Sequence, residues 1–317
     1  MNEIVNNSLI EGETLPADEV RSSVARRLGL PSAGLTTPTH HVDGVVEMML
    51  DATQHFDRPV TEDRLYGWHA ALFPTGRSGT AKIRVGEYRD HPDAEPMQVV
   101  SGRLGRTHVH FEAPSSSVLG EEMKRLLDYV NQPAETDELL RAGIVHLWFL
   151  TLHPFDDGNG RMARALTDLM LARSDQSSQR FYSISTAILQ RRKYYYRQLE
   201  AAQKGSPDIT EWLIWFLDTV AEAINLASEQ MSDVFAQAKF WRKHQATILN
   251  VRQQMIVAKL WDGYQGKLTS FRYANLCDVS QDTATRDIND LMTKGILRKG
   301  SAGGRATAYV LIKEPAS

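Results

Sequence analysis

The stretch HPFDDGNGRMAR, His153–Arg164, brings a histidine, two aspartates, two glycines, an asparagine and two arginines into one turn and the start of a helix. Helical spacing upstream ends at Leu152, and Gly-Asn-Gly-Arg opens the next helical run. The backbone N–H groups of residues 158–161 then lie at a helix N-terminus, where unsatisfied donors and the helix dipole favour an anion. Arg161 and Arg164, three apart, share a helix face on which each can hold phosphate oxygens. Asp157 is placed to hold a divalent cation between phosphates, and His153 at the rim can take a proton near neutral pH. The plainer alternative is ordinary turn chemistry with a structural histidine. Eight positions fitting one anion-binding arrangement favour a nucleotide site.

Working outward, 317 residues predict a sizeable helical core with a smaller appendage. Hydrophobic residues at 42% and charged residues at 24% fit a soluble globular chain, and a net charge of -3 excludes a protein that coats nucleic acid or anionic membrane. The single Cys277 excludes an intrachain disulfide and a multi-cysteine metal site, which points to a reducing, cytoplasmic setting. MNEIVNNSLI has no basic n-region and no long apolar stretch, so it is no secretory signal. GIVHLWFLTL at 143–152 is interrupted by His146 and is shorter than the ~20 residues that span a bilayer.

Helical spacing is expected around EIVNNSLI and through ADEVRSSVARRLGL, with Asp18 as cap, then at 42–56, 61–73 (capped by Thr61), 119–131, 137–152, 160–173, 187–203 and 209–230. Between these, 76–118 is turn-rich with β-branched pieces and predicts a β-hairpin at 97–112. From Leu268 to Ile312 the order helix, turn, helix and two strands with a Gly-rich turn predicts a winged helix-turn-helix. The segment KFWRKHQATILN is expected to run on as a connecting helix. The domains expected are 1–30, 31–239 and 240–317.

HPFDDGNGRMAR matches in full the motif His-x-Phe-x-Asp/Glu-Gly-Asn-Gly-Arg-x-x-Arg of the Fic family. EGETLPADEVRSSVARRLG (11–29), HLWFLTLHPFDDGNGRMARAL (146–166) and YYRQLEAAQKGSPDITEWLIWFL (195–217) also resemble the bacterial Fic subgroup with a C-terminal winged helix. The resemblance implies a mainly α fold: a Fic helical core with a β-hairpin flap, plus the winged helix-turn-helix domain. It implies a protein adenylyltransferase using ATP and Mg²⁺, in which His153 deprotonates a Ser, Thr or Tyr hydroxyl of a target protein, or of the chain itself. In that scheme Asp157 holds Mg²⁺, while Gly158, Asn159 and Gly160 form the anion hole. Arg161 and Arg164 grip the outer phosphates, and Phe155 anchors the loop. Relatives that phosphorylate carry lysine at the position of Gly160, so adenylyl transfer is expected. KYYYRQL falls where relatives build the adenine pocket, making Tyr195 and Tyr196 its candidates, although one of three tyrosines in a row on a helix commonly packs in the core. Gln203 stands where some relatives have asparagine. Dimers are frequent among relatives.

The resemblance extends to NNSLIEGETL (6–15), which is similar to the inhibitory pattern Ser/Thr-x-x-x-Glu-Gly/Asn. It implies that Glu11 pairs with Arg164 and restrains the enzyme. The first position departs, since Asn7 stands for Ser/Thr with Ser8 adjacent, but asparagine also hydrogen-bonds. Relatives with this glutamate can run the reverse reaction, so removal of AMP is the alternative direction. The pattern begins almost at Met1, so either the chain is a piece of a longer one or a partner holds this helix.

In the flap, which in relatives holds the target by main-chain pairing, His108 and His110 alternate on one strand. A metal there is discounted, because the sequence has no third ligand nearby. In the tail, residues 279–292 are the expected recognition helix, with Arg286 directed to a base edge and Arg298, Lys299 and Arg305 to phosphates. Asp282, Asp287 and Asp290 weigh against DNA, leaving a regulator of DNA as the rival class and protein docking or dimerisation as the favoured role of the tail.

Overall fold

The computed structural model describes residues 1–31, 35–103, 106–133, 136–264, 266–300 and 307–312. The chain forms two compact units, Met1–Ala227 and Ser228–Ser317. The division falls inside α10 (Thr210–Lys243).

The first unit is mainly helical, with α1 (Asn2–Ile10), α2 (Ala17–Arg27), α3 (His40–Gln54), α4 (Glu62–Leu72), α5 (Ser116–Asn131), α6 (Glu138–Leu152), α7 (Asn159–Asp175), α8 (Ile184–Gln190), α9 (Arg192–Lys204) and the first part of α10. At its centre lie α6 and α7, joined by the motif loop. Leu152, Met162, Leu166, Leu169 and Met170 are buried against Val45, Met48, Leu126 and Trp212. Nearly all of α7 is buried, its polar Arg161, Arg164 and Thr167 included. These polar groups are therefore obliged to find partners within the protein.

Side chains fix several helix starts. Thr39 accepts the Val42 N–H, Thr61 the Arg64 N–H, and Asp137 the N–H groups of Leu139 and Leu140. The predicted Asp18 cap is corrected. Here α2 begins at Ala17 behind Pro16 without a side-chain cap, and Asp18 and Glu19 occupy its first turn, where negative charge complements the dipole. The single helix expected at 187–203 is two, because Arg191 leaves helical geometry (φ -118°, ψ 29°) between α8 and α9.

The flap forms as expected: β3 (Gln98–Arg103) pairs antiparallel with β4 (Arg106–Glu112). A two-residue ladder of β1 (Arg77–Ser78) with β2 (Ala81–Lys82) was not legible, being too short to leave a pattern.

The second unit contains α11 (Val251–Trp261), α12 (Ser270–Cys277), α13 (Gln281–Thr293), β5 (Leu297–Lys299) and β6 (Tyr309–Leu311). This is a helix-turn-helix followed by a two-stranded ladder, the winged arrangement predicted, around Ile256, Val257, Tyr273, Ile288 and Leu291. The expected connecting helix is shorter: KFWRK continues α10, but the chain leaves the helix at His244 and restarts at Val251, with an Asn250–Gln253 capping box. Arg305 of the wing lies outside the described residues. Among the described residues no helix is long and apolar enough to cross a membrane.

Candidate active site

The motif loop begins where α6 ends. His153 is its C-cap in the left-handed region (φ 47°), a conformation costly for a side-chain-bearing residue and held here by its surroundings. Its N–H donates to the Phe149 carbonyl at 3.0 Å, and its carbonyl accepts Arg89 Nε at 2.8 Å. The ring Nδ1 lies 3.4 Å from the Leu150 carbonyl, which can only accept. Nδ1 therefore carries the proton and Nε2 the lone pair. Burial pushes this imidazole down to about 4, so it is neutral at physiological pH.

Phe155 is fully buried and pins the loop. Asn159 clasps it from both sides, its Oδ1 accepting the Phe155 N–H at 3.0 Å and its Nδ2 donating to the Phe155 carbonyl at 2.7 Å. What Asn159 offers an anion is thus its main-chain N–H. His69 stacks on the Phe155 ring with centroids 4.3 Å apart, and its Nε2 donates to the Asp157 carbonyl at 3.2 Å while Nδ1 accepts the Gly86 N–H. Burial holds His69 down to about 4. The Asp157 carboxylate accepts the Gly158 N–H at 2.6 Å and the Ser78 hydroxyl, so Ser78 and Asp157 present hard oxygen atoms together at the mouth of α7.

On α7 both motif arginines are engaged by the N-terminal segment. Arg164, with no solvent exposure, donates through Nε to Asn7 Oδ1 at 2.7 Å and through Nη2 to the Asn7 carbonyl at 2.9 Å and Glu11 Oε1 at 2.7 Å. Asn7 in turn donates to the Arg161 carbonyl at 3.3 Å. Asparagine, not the buried Ser8, fills the role left by the departure from Ser/Thr. Arg161 Nη1 donates to Glu13 Oε2 at 2.9 Å, and its guanidinium lies over the Phe73 ring at 5.0 Å. Glu13 also pairs with His41 Nε2. Burial alone would raise the Glu13 carboxyl, but the hydrogen bond to His41 and the charge of Arg161 hold it below its ordinary value. The same hydrogen bond raises His41. Gly12, at φ +86°, turns the chain so that carboxylates on both sides of it reach α7.

Glu11, His153, Gly160, Tyr195, Tyr196 and Gln203 are among the residues that line a cavity of about 550 Å³. Tyr195 is buried and its hydroxyl meets His146 Nε2 at 2.9 Å, while His146 Nδ1 meets the Thr167 hydroxyl at 2.8 Å. Tyr196 is half-exposed and directs its hydroxyl to the Ile10 carbonyl at 3.3 Å and Glu11 Oε2 at 3.4 Å. Two donor atoms, Arg164 Nη1 and Arg161 Nε, are buried without a hydrogen-bond partner. A buried unpaired guanidinium nitrogen is costly and fits an absent anion.

Residues 59–171 match the Fic/DOC family, residues 1–30 a domain of unknown function (DUF4172), and residues 252–308 a DeoR-like helix-turn-helix domain. Residues 59–171, which include the motif, are thus similar to Fic/DOC proteins. Its sequence is 32% identical over 118 residues to protein adenylyltransferase fic-1 of Caenorhabditis elegans, a match covering 36% of this chain and 22% of that protein. Identity to protein adenylyltransferase fic-1 of Caenorhabditis briggsae is 30% over 118 residues, with the same shares of each chain. The match thus spans 22% of the length of these curated relatives. A crystal structure of a Fic family protein from Desulfovibrio desulfuricans G20 resembles the chain in fold, with a TM-score of 0.52 and 22% identity over 99% of this chain and 87% of that one.

Sequence reasoning missed Ser78, His69, Arg89 and His41, which leave no local signal. It also missed Glu13, although the spacing of two from Glu11 across a glycine was a signal. The premise for discounting metal at the flap is corrected: α9 brings Glu200 against His108 and His110, a third candidate ligand that chain proximity could not reveal.

Proposed function

We propose that the protein transfers AMP from ATP to a hydroxyl side chain of a target protein and that Glu11 restrains this transfer. The reading rests on one observation above all: a neutral His153, Gly160 of α7 and Glu11 line one cavity, and Glu11 holds Arg164, a buried arginine that, like Arg161, keeps an unpartnered nitrogen. The target oxygen attacks the α-phosphorus as the bond to the pyrophosphate leaving group breaks, and His153 Nε2 takes the hydroxyl proton. The N–H groups of residues 159–161, which have no carbonyl partner within the helix, stabilise phosphate charge in place and need no reorganisation. Arg161 and Arg164 hold the outer phosphates. Mg²⁺, held by Asp157 with Ser78 behind it, would neutralise charge between phosphates. Tyr195 and Tyr196 line the base pocket.

Glu11 occupies the Arg164 nitrogen that the terminal phosphate needs. A carboxylate and a phosphate cannot share it, so ATP binding in the productive pose requires Glu11 to leave. The test uses Glu11→Gly protein with lysate proteins and ATP labelled at the α- or the γ-phosphate. Label from the α-position alone, lost with His153→Ala, supports adenylyl transfer; label from the γ-position contradicts it. Release of AMP from a labelled target by the wild type would instead favour the reverse direction.

A second reading concerns the DeoR-like unit. Two of the three aspartates that weigh against DNA are engaged within the fold. Asp287 is buried and accepts Arg252 Nε at 2.8 Å and Asn250 Nδ2 at 3.0 Å, and Asp290 pairs with Lys294 and Gln253. Arg286, Arg298 and Lys299 are exposed. A duplex probe that binds the wild type with a steep salt dependence, and binds Arg286→Ala more weakly, would support DNA contact.

A further inference from the structure

We propose that His108, His110 and Glu200 form a binding site for a divalent transition-metal cation, zinc(II) above all, that ties the flap to α9. The donor set is two imidazoles and one carboxylate, the kind that zinc accepts with a position left for water or another ligand. All three candidate ligand atoms lie within 4.8 Å of one another. His110 Nδ1 is 2.9 Å from Glu200 Oε2, and His108 Nε2 is 4.0 Å from Glu200 Oε1. Tetrahedral bonds of about 2.0–2.1 Å place ligand atoms about 3.3 Å apart, between these two separations. Rotation of the largely exposed His108 side chain is enough to close the difference.

The backbone prepares this arrangement. Val99 pairs with Phe111 but Val100 with Val109, so β4 carries one extra residue, His110, at a bulge. A bulge of this kind re-aims a side chain, and the two imidazole centroids lie 4.6 Å apart edge to face. Lys204 Nζ donates to Glu200 Oε1 at 2.7 Å and is the cation that a metal would displace. Because His110 and Glu200 also line the cavity, a bound ion would fix the flap over it.

Metal binding is read without the transfer reaction and is therefore the test. Chelator-stripped protein is titrated calorimetrically with zinc chloride in excess Mg²⁺. One saturable site is expected, weakened tenfold or more by His108→Ala, His110→Ala or Glu200→Gln, tightened by Lys204→Met, and unmoved by Asp157→Asn. His108 is exposed enough that its truncation leaves folding intact, which thermal unfolding without metal verifies. Absence of saturable binding, or binding that survives His108→Ala combined with Glu200→Gln, overturns the proposal.

Discussion

Two charged clusters, one in each compact unit, are built from similar parts and differ in completion. In the second unit Asp287 receives Arg252, Asn250 and the Tyr273 hydroxyl, the last at 3.1 Å, and both carboxylate oxygens are occupied. Every partner comes from the same small fold. In the first unit Arg164 receives Asn7 and Glu11, yet its Nη1 stays buried and unpartnered, and the Glu11 side chain is one-third exposed at the cavity edge. A closed cluster secures a fold, because nothing is gained by exchanging a partner. An open one, with a spare donor and a partner at the end of a nine-residue helix, is suited to exchange one anion for another.

Removing the exchangeable partner should have the largest effect. Glu11→Gly is expected to raise AMP incorporation by about 5- to 150-fold, the usual range of a coupling between two states. Breaking the closed cluster should move stability and not chemistry: Asp287→Ala is expected to cost about 1–3 kcal/mol, read by denaturant unfolding of the tail, with incorporation unchanged. Burial would raise the Asp287 carboxyl, but its hydrogen bonds to Arg252, Asn250 and Tyr273 hold it below its ordinary value. Its contribution is therefore present above the unfolded value near 3.9 and is lost as pH falls through the lower folded value.

Gly160→Ala sharpens the contrast further. A Cβ there would lie 2.1 Å from Glu11 Oε1 and 2.9 Å from its Cδ, so the flexible end of Glu11 must move. The same methyl stands where phosphate approaches α7. Displacing Glu11 in this way should not activate, and in Glu11→Gly protein the methyl is expected to lower incorporation about tenfold, measured by steady-state labelling.

The smallest effect expected is at Glu13 and His41. Because His41 is raised by Glu13, its contribution is fully present below the unfolded value near 6.5 and is lost as pH rises through the raised folded value. Thermal melts of the wild type and Glu13→Gln should therefore differ most near pH 6 and converge partly toward alkaline pH, while the Arg161 contact to Glu13 persists. A difference that does not change with pH would remove His41 from the account.

The mainly helical core, the flap and the winged unit were legible because each leaves a local signature: helical spacing, a turn-rich stretch with alternating strands, a helix-turn-helix followed by short strands. The motif residues were legible as candidates because the proposed chemistry requires fixed types at fixed spacing. Glu13 and Arg161 are 148 residues apart, and Ser78 and Asp157 are 79 apart, so nothing local announces either pair. Glu200 was missed as a neighbour of His110 for the same reason, at a separation of 90. Counting Asp287 as a surface charge failed differently. Helical position alone places it on α13, whereas the packing of α11 and α12 decides that it faces inward.

The most direct measurement is the initial rate of AMP incorporation from α-labelled ATP with Mg²⁺, comparing wild type, Glu11→Gly and Asp287→Ala at a temperature where all three are folded. A rate raised at least fivefold in Glu11→Gly alone is the predicted result. Equal rates in wild type and Glu11→Gly, both above the His153→Ala background, would contradict the account by showing that the carboxylate on Arg164 restrains nothing.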